Sequence, residues 1–237
     1  MTQATRTGPL PVAGLAPRLF VMLGAPGAGK GTQAARLAAG LGLLHVSTGD
    51  LFRAALRDKT PLGDEVRRFV EKGQLVPDAL TVRVLTERLA QPDALAGAIL
   101  DGFPRTRAQA EALDSLLARR GGGVAAALYI EVPADELVRR LSQRRVCTDP
   151  HQHVYNLITR PPRVAGICDV DGSALEQRPD DQPETIRARL ERQQAPMYEV
   201  VDHYADAGVL HAVRGERDVD EITDDLLRLA LRAERRG

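Results

Sequence analysis

Arg18-Leu19-Phe20-Val21-Met22-Leu23-Gly24-Ala25-Pro26-Gly27-Ala28-Gly29-Lys30-Gly31-Thr32 decides how the rest of the chain is read. Six residues of mostly apolar character suit a strand buried on both faces of a parallel sheet. The glycine-rich stretch that follows is free to curl, so that successive backbone N–H groups point inward at an anion. Thr32–Leu41 has helical periodicity and would offer its positive end to the same anion. Lys30 stands where it reaches the outer phosphates of a nucleotide. Thr32 stands where a hydroxyl approaches a phosphate or a hydrated metal. The usual phosphate-loop pattern sets Ser or Thr directly after the Lys, whereas here Gly31 intervenes.

Working outward, apolar runs at Leu43–Val46, Ala98–Leu100, Ala125–Val132 and Val209–Val213 are expected to be strands. They alternate with helical patterns at 51–59, 62–72, 78–89, 106–119, 135–144, 184–207 and 219–235. Alternation of this kind implies a three-layer α/β fold, a central parallel sheet with helices on both faces. Val146–Asp181 breaks the alternation: rich in Pro, Gly, His and β-branched residues, it reads as a small β insertion. Residues 1–17, with several Pro and Gly, are expected to form a disordered tail.

The 237 residues carry 32 basic and 32 acidic side chains, so zero net charge argues against a coat for nucleic acid or for an anionic membrane. Aromatics at 3% with no Trp leave few stacking platforms for single strands. No stretch approaches the roughly 18 apolar residues that span a bilayer, and a cytoplasmic location is expected. Among the basic residues 29 are Arg and three are Lys (Lys30, Lys59, Lys72), which draws attention to Lys30. Cys147 and Cys168 are too few for a disulfide framework; a lone bridge, two thiols or half of a metal site all remain open.

Three further segments accompany the loop: Ser47-Thr48-Gly49-Asp50-Leu51-Phe52-Arg53, Leu100-Asp101-Gly102-Phe103-Pro104-Arg105-Thr106, and Arg178-Pro179-Asp180-Asp181. In order and spacing, the four together resemble the adenylate kinase family, and the resemblance runs from about Leu19 to Val213. It implies a P-loop fold with a core of residues 18–145 and 182–237, an AMP-binding segment at 47–76 and a long lid at 146–181. It implies reversible transfer of a phosphoryl group from ATP to AMP, giving two ADP, by a Mg²⁺-dependent monomer whose lid closes over the substrates. Nucleoside monophosphate kinases with another acceptor base, and a nucleotide-hydrolysing switch, are the alternatives.

By that resemblance Gly27, Ala28, Gly29, Lys30, Gly31, Thr32, Arg140 and Arg144 bind ATP, with Arg140 stacking near its adenine. Thr48, Arg53, Gly102, Arg105, Gln109, Arg178 and Arg189 bind AMP, Thr48 and Gln109 at the base and the arginines at phosphate. Lys30, Arg105, Arg144, Arg178 and Arg189 form the catalytic phosphate cage, where cations offset repulsion among five phosphates. Asp101, after an apolar strand, would orient hydrated Mg²⁺, or else serve as a cap. No general base is needed, because the attacking phosphate of AMP is already ionised. Arg140 and Arg144 are spaced one helical turn apart and are expected on one helix face; a solvated basic stripe has the same spacing.

Many long lids of the family hold zinc through two Cys-x₂-Cys or Cys-x₂-Asp pairs. Cys147, Cys168 and Asp171 keep the first, third and fourth of those positions, and Pro150 occupies the second. His151 is the expected replacement ligand, with His153 a weaker one; a metal-free lid and an oxidised cysteine pair stay open.

Overall fold

The computed structural model describes residues 18–149, 153–178 and 181–234. The expected tail at 1–17 and the proposed ligand His151 lie outside them. Among the described residues, β1 (Arg18–Leu23), β2 (Leu44–Ser47), β3 (Gly97–Asp101), β4 (Val124–Glu131) and β8 (Leu210–Arg214) form one parallel sheet in the order β2-β3-β1-β4-β8. β1 is central, so the loop after it opens at the carboxyl edge where open α/β sheets bind ligands.

Alternation along β1 divides the core. Leu19, Val21 and Leu23 face α4 (Asp78–Leu89), α5 (Arg107–Ala118) and α7 (Pro183–Asp206), through Leu85, Leu113, Leu117 and Tyr204. Phe20 and Met22 face α1 (Lys30–Leu41), α6 (Ala134–Ser142) and α8 (Val219–Glu234), through Leu37, Leu137 and Leu226. Both sides of the strand are dry, which is why its sequence runs apolar rather than alternating.

Two smaller units stand on this frame. α2 (Thr48–Arg57) and α3 (Pro61–Val70) close over Phe52, Val66 and Val76. The insertion is a separate antiparallel sheet of β5 (Arg144–Cys147), β6 (Val154–Asn156) and β7 (Leu175–Glu176), with β5 in the middle and Cys147, Tyr155 and Cys168 buried beneath it. Arg144 is the first residue of β5, because its register with Asn156 ends the preceding helix at Ser142. Arg140 and Arg144 therefore do not share a helix face, contrary to expectation. Among the described residues no helix is long and apolar enough to cross a membrane.

Candidate functional site

The loop between β1 and α1 turns on glycines. Gly29 caps α1 at φ 95°, a left-handed conformation costly for other residues. A Cβ on Gly31 would come within 3.2 Å of Asp101 Oδ2, so the residue after Lys30 is kept small by the carboxylate beside it. Lys30 starts α1 and donates from Nζ to the Ala25 carbonyl at 3.0 Å. Burial, followed by the charges of Arg105, Arg189 and Arg144, lowers its pKa to about 8 despite the opposing pull of Asp101. Three arginines from α7, β5 and the loop after β3 thus converge on one lysine.

Asp101 ends β3, with Oδ2 3.8 Å from His45 Nε2 on the neighbouring β2. Burial raises its pKa, but His45, Lys30 and Arg105 outweigh this and hold it below the ordinary carboxylate value. His45 carries no sequence signal of its own. Its closeness to Asp101 follows from β2 and β3 being adjacent, a fact of strand order.

A second cluster lies across the loop. The Gly102 carbonyl accepts from Thr48 Oγ1 and from Arg105 Nε, each at 2.8 Å. Gly102 has φ 76°, and a Cβ there would come 2.9 Å from Arg105 Nη2 and 3.0 Å from Thr48 Oγ1. Gln109 is 1% exposed; its Oε1 accepts from the Arg105 backbone N–H at 2.8 Å and its Nε2 donates to Asp78 Oδ1 at 2.7 Å. Arg53 donates to Asp50, whose carboxylate also lies 4.0 Å from Arg178. Burial raises the Asp50 pKa, but the charge and hydrogen bond of Arg53, with Arg178 and Ser47, together bring it below the ordinary carboxylate value. Thr48, Arg53, Gly102, Arg105, Gln109 and Arg189 line a common cleft of about 60 Å³. A larger one, about 390 Å³, lies between β4, α6 and α7 and shares with the phosphate loop only Ala25 and Pro26. The convergence of charge marks the smaller cleft as the chemical one.

At the base of the insertion, Asp181 is 0% exposed and accepts from Arg144 through both oxygens at 2.6 Å, with Arg189 3.5 Å away. Arg140 stands apart, donating to Glu136 at 2.6 Å and to the Gly215 carbonyl at 2.8 Å. Sequence reasoning missed Glu136, although an (i, i+4) acid on the same helix signals it.

Within the insertion, Cys147, His153, Cys168 and Asp171 bring one donor atom each to within 4.8 Å of one another. His153 Nδ1 is 2.8 Å from Asp171 Oδ2, 3.4 Å from Cys147 Sγ and 3.5 Å from Cys168 Sγ. Both cysteines are free thiols. Two sulfurs, one imidazole nitrogen and one carboxylate oxygen suit a closed tetrahedral site. Among the described residues, which do not include His151, His153 is the histidine that meets the others.

A central parallel sheet with a glycine-cradled lysine at its carboxyl edge defines a P-loop α/β protein. Residues 22–209 match the family model described as adenylate kinase. The chain is 47% identical over 207 residues to an adenylate kinase of Exiguobacterium sibiricum, covering 87% of this chain and 96% of that one. It is 43% and 42% identical over 208 residues to adenylate kinases of Staphylococcus epidermidis and Staphylococcus aureus, with 88% and 96% coverage in each case. The chain belongs to the adenylate kinase family.

Proposed function

We propose that this protein is a phosphotransferase that moves the γ-phosphoryl group of ATP onto AMP and yields two ADP. The observation that carries the proposal is the meeting of Lys30, Arg105, Arg144 and Arg189 between the phosphate loop and the Thr48–Gln109 cleft. Asp101 and Asp181 already face these cations, and the phosphates of two facing nucleotides would add the further anions that such a cluster can hold.

ATP would lie with its phosphates on the Gly27–Thr32 backbone and Lys30, and with its base toward Arg140. AMP would lie in the second cleft, Arg53 and Arg105 on its phosphate, Thr48 and Gln109 at its base. An oxygen of the AMP phosphate bonds to the γ-phosphorus as the bond from that phosphorus to the β,γ-bridging oxygen breaks. Lys30, Arg105, Arg144, Arg178 and Arg189 then stabilise the charge spread over the transferring group. Placement and charge supply the catalysis, and no side chain has to take a proton.

Members of this family use Mg²⁺, and the low-pKa carboxylate of Asp101 would hold it through water; bound there, the ion would supply positive charge to offset the donor phosphates. Zn²⁺ in the insertion would be held by Cys147, His153, Cys168 and Asp171 and would fix the short β5–β7 sheet. Residues 146–181 act as a lid that excludes water from the γ-phosphate, and 47–76 as the segment that covers AMP. A cytoplasmic monomer as the working unit is part of the same proposal.

Mixing ATP, AMP and Mg²⁺ with the protein tests the reading. Two ADP formed per ATP consumed, without free phosphate, is the expected result. One phosphate released per ATP, whether or not AMP is present, would replace the transferase with a hydrolytic switch.

A further inference from the structure

Gln109 sits in the first turn of α5, almost fully buried, and both ends of its amide are engaged. A primary amide has two N–H donors and an oxygen with two lone pairs. The Arg105 backbone N–H, which can only donate, meets Oε1 at 2.8 Å. The Asp78 carboxylate, which accepts, meets Nε2 at 2.7 Å. The second oxygen of Asp78 accepts from Thr106 Oγ1 at 3.0 Å, and Thr106 Oγ1 in turn accepts from the Gln109 backbone N–H at 3.2 Å. Turning the amide over would set oxygen against carboxylate and N–H against N–H, with both contacts buried. The direction of the amide is therefore fixed at both ends, by the Arg105 backbone N–H and by the Asp78 side chain 31 positions earlier in the chain.

One N–H and one lone pair of Gln109 remain for a ligand, in an order that this network sets. Adenine presents a ring-nitrogen acceptor beside its N6 amino donor and matches that order. Hypoxanthine presents the reverse on its pairing edge, an N1–H donor beside an O6 acceptor. Its shape is nearly that of adenine, so polarity alone separates the two. We infer that Asp78 is the positioning residue for base choice: by holding Gln109 one way round, it makes the acceptor cleft select 6-amino over 6-oxo purine monophosphates. The inference rests on the assignment of this cleft to AMP.

Asp78 also sits in the first turn of α4 after Pro77, where any negative charge favours a helix start. Asp78→Asn separates the roles. It removes the charge, yet its oxygen still accepts from Gln109 while its NH₂ donates to Thr106 Oγ1. Steady-state kinetics with ATP as donor and AMP or IMP as acceptor supply the test. Wild type must first phosphorylate AMP; if it does not, the cleft assignment fails whatever Asp78 does. Given that activity, Asp78→Ala is expected to lower the AMP/IMP ratio of kcat/KM by about tenfold or more. The change should lie mainly in KM for the acceptor, leaving KM for ATP within about twofold of wild type. Asp78→Asn should keep the ratio within about threefold of wild type. Asp78→Leu, which fills the volume, gives the same reading as Ala should the shorter side chain unfold the protein, and thermal melting identifies the folded variants. A wild-type ratio in a folded Ala or Leu variant, or an Asn variant that loses selectivity as fully as they do, would overturn the inference.

Discussion

Replacing Lys30 by Met is expected to move stability and activity in opposite directions. The ammonium is desolvated and faces three guanidinium groups, so its pKa falls from 10.5 to about 8. That displacement corresponds to about 3 kcal/mol against holding the charge in the empty protein. Met fills a similar volume without the charge. Loss of the bond to the Ala25 carbonyl returns about 1 kcal/mol, and the pull of Asp101 is already contained in the displaced value. The variant should therefore gain about 2 kcal/mol at pH 7, a rise in Tm of about 4–8 °C. Both folded and unfolded chains carry the Lys30 proton below pH 8, so the gain is constant there. Between about 8 and 10.5 the unfolded chain binds more protons, wild type gains stability as pH rises, and the difference closes. Turnover should meanwhile fall by about 10²-fold or more, as for loss of a preorganised charge donor. Thermal melts at pH 7 and at about pH 10, paired with ADP formation from ATP and AMP, read both effects. A variant that melts below wild type at pH 7 and retains near-normal turnover would refute the account of Lys30 as a strained, anion-seeking charge.

Three other perturbations have defined outcomes. Asp181→Ala leaves Arg144 and Arg189 without the buried carboxylate between them and should cost about 3 kcal/mol; an unchanged Tm would contradict this. Hydrogen bonds from Arg139 and Arg140 hold Glu136 near pKa 2, so its stabilising effect is complete above 4.5 and lost as pH falls through about 2. Urea melts should accordingly show Glu136→Gln weaker than wild type at pH 7 and the gap narrowing below 4.5, whereas a gap independent of pH would exclude the assignment. Metal analysis of freshly purified protein should find about one zinc per chain, abolished in Cys168→Ser, and less than about a tenth of an equivalent in wild type would rule out the metal.

Local chemistry made much of this molecule legible. β1, its glycine loop and the start of α1 are encoded by contiguous residues, and α4 has the span its periodicity predicts, Asp78–Leu89. The end of α6 was not legible. Leu141-Ser142-Gln143-Arg144 contains no helix breaker, and the helix stops because Arg144 pairs with Asn156 twelve residues on. The same hairpin places His153: its carbonyl accepts from Cys147 N at 3.0 Å, which sets it across from the first cysteine. Counting residues along the loop cannot reveal that register. The Lys30–arginine cluster was anticipated through motif resemblance, yet the Asp181 clamp on Arg144, the His45–Asp101 contact and the Asp78–Gln109 lock required the folded chain. Each joins side chains from separate elements, and its existence depends on strand order or helix packing rather than on any local pattern.

Titration calorimetry with two adenosines joined through five phosphates tests the central claim most directly, because that single molecule carries the full anionic load of both substrates. One molecule should bind per chain, more tightly than ATP or AMP alone, and the affinity should collapse in Lys30→Met and in Arg105→Ala alike. Binding no tighter than ATP, or tight binding indifferent to both substitutions, would contradict a shared phosphate cage at the loop.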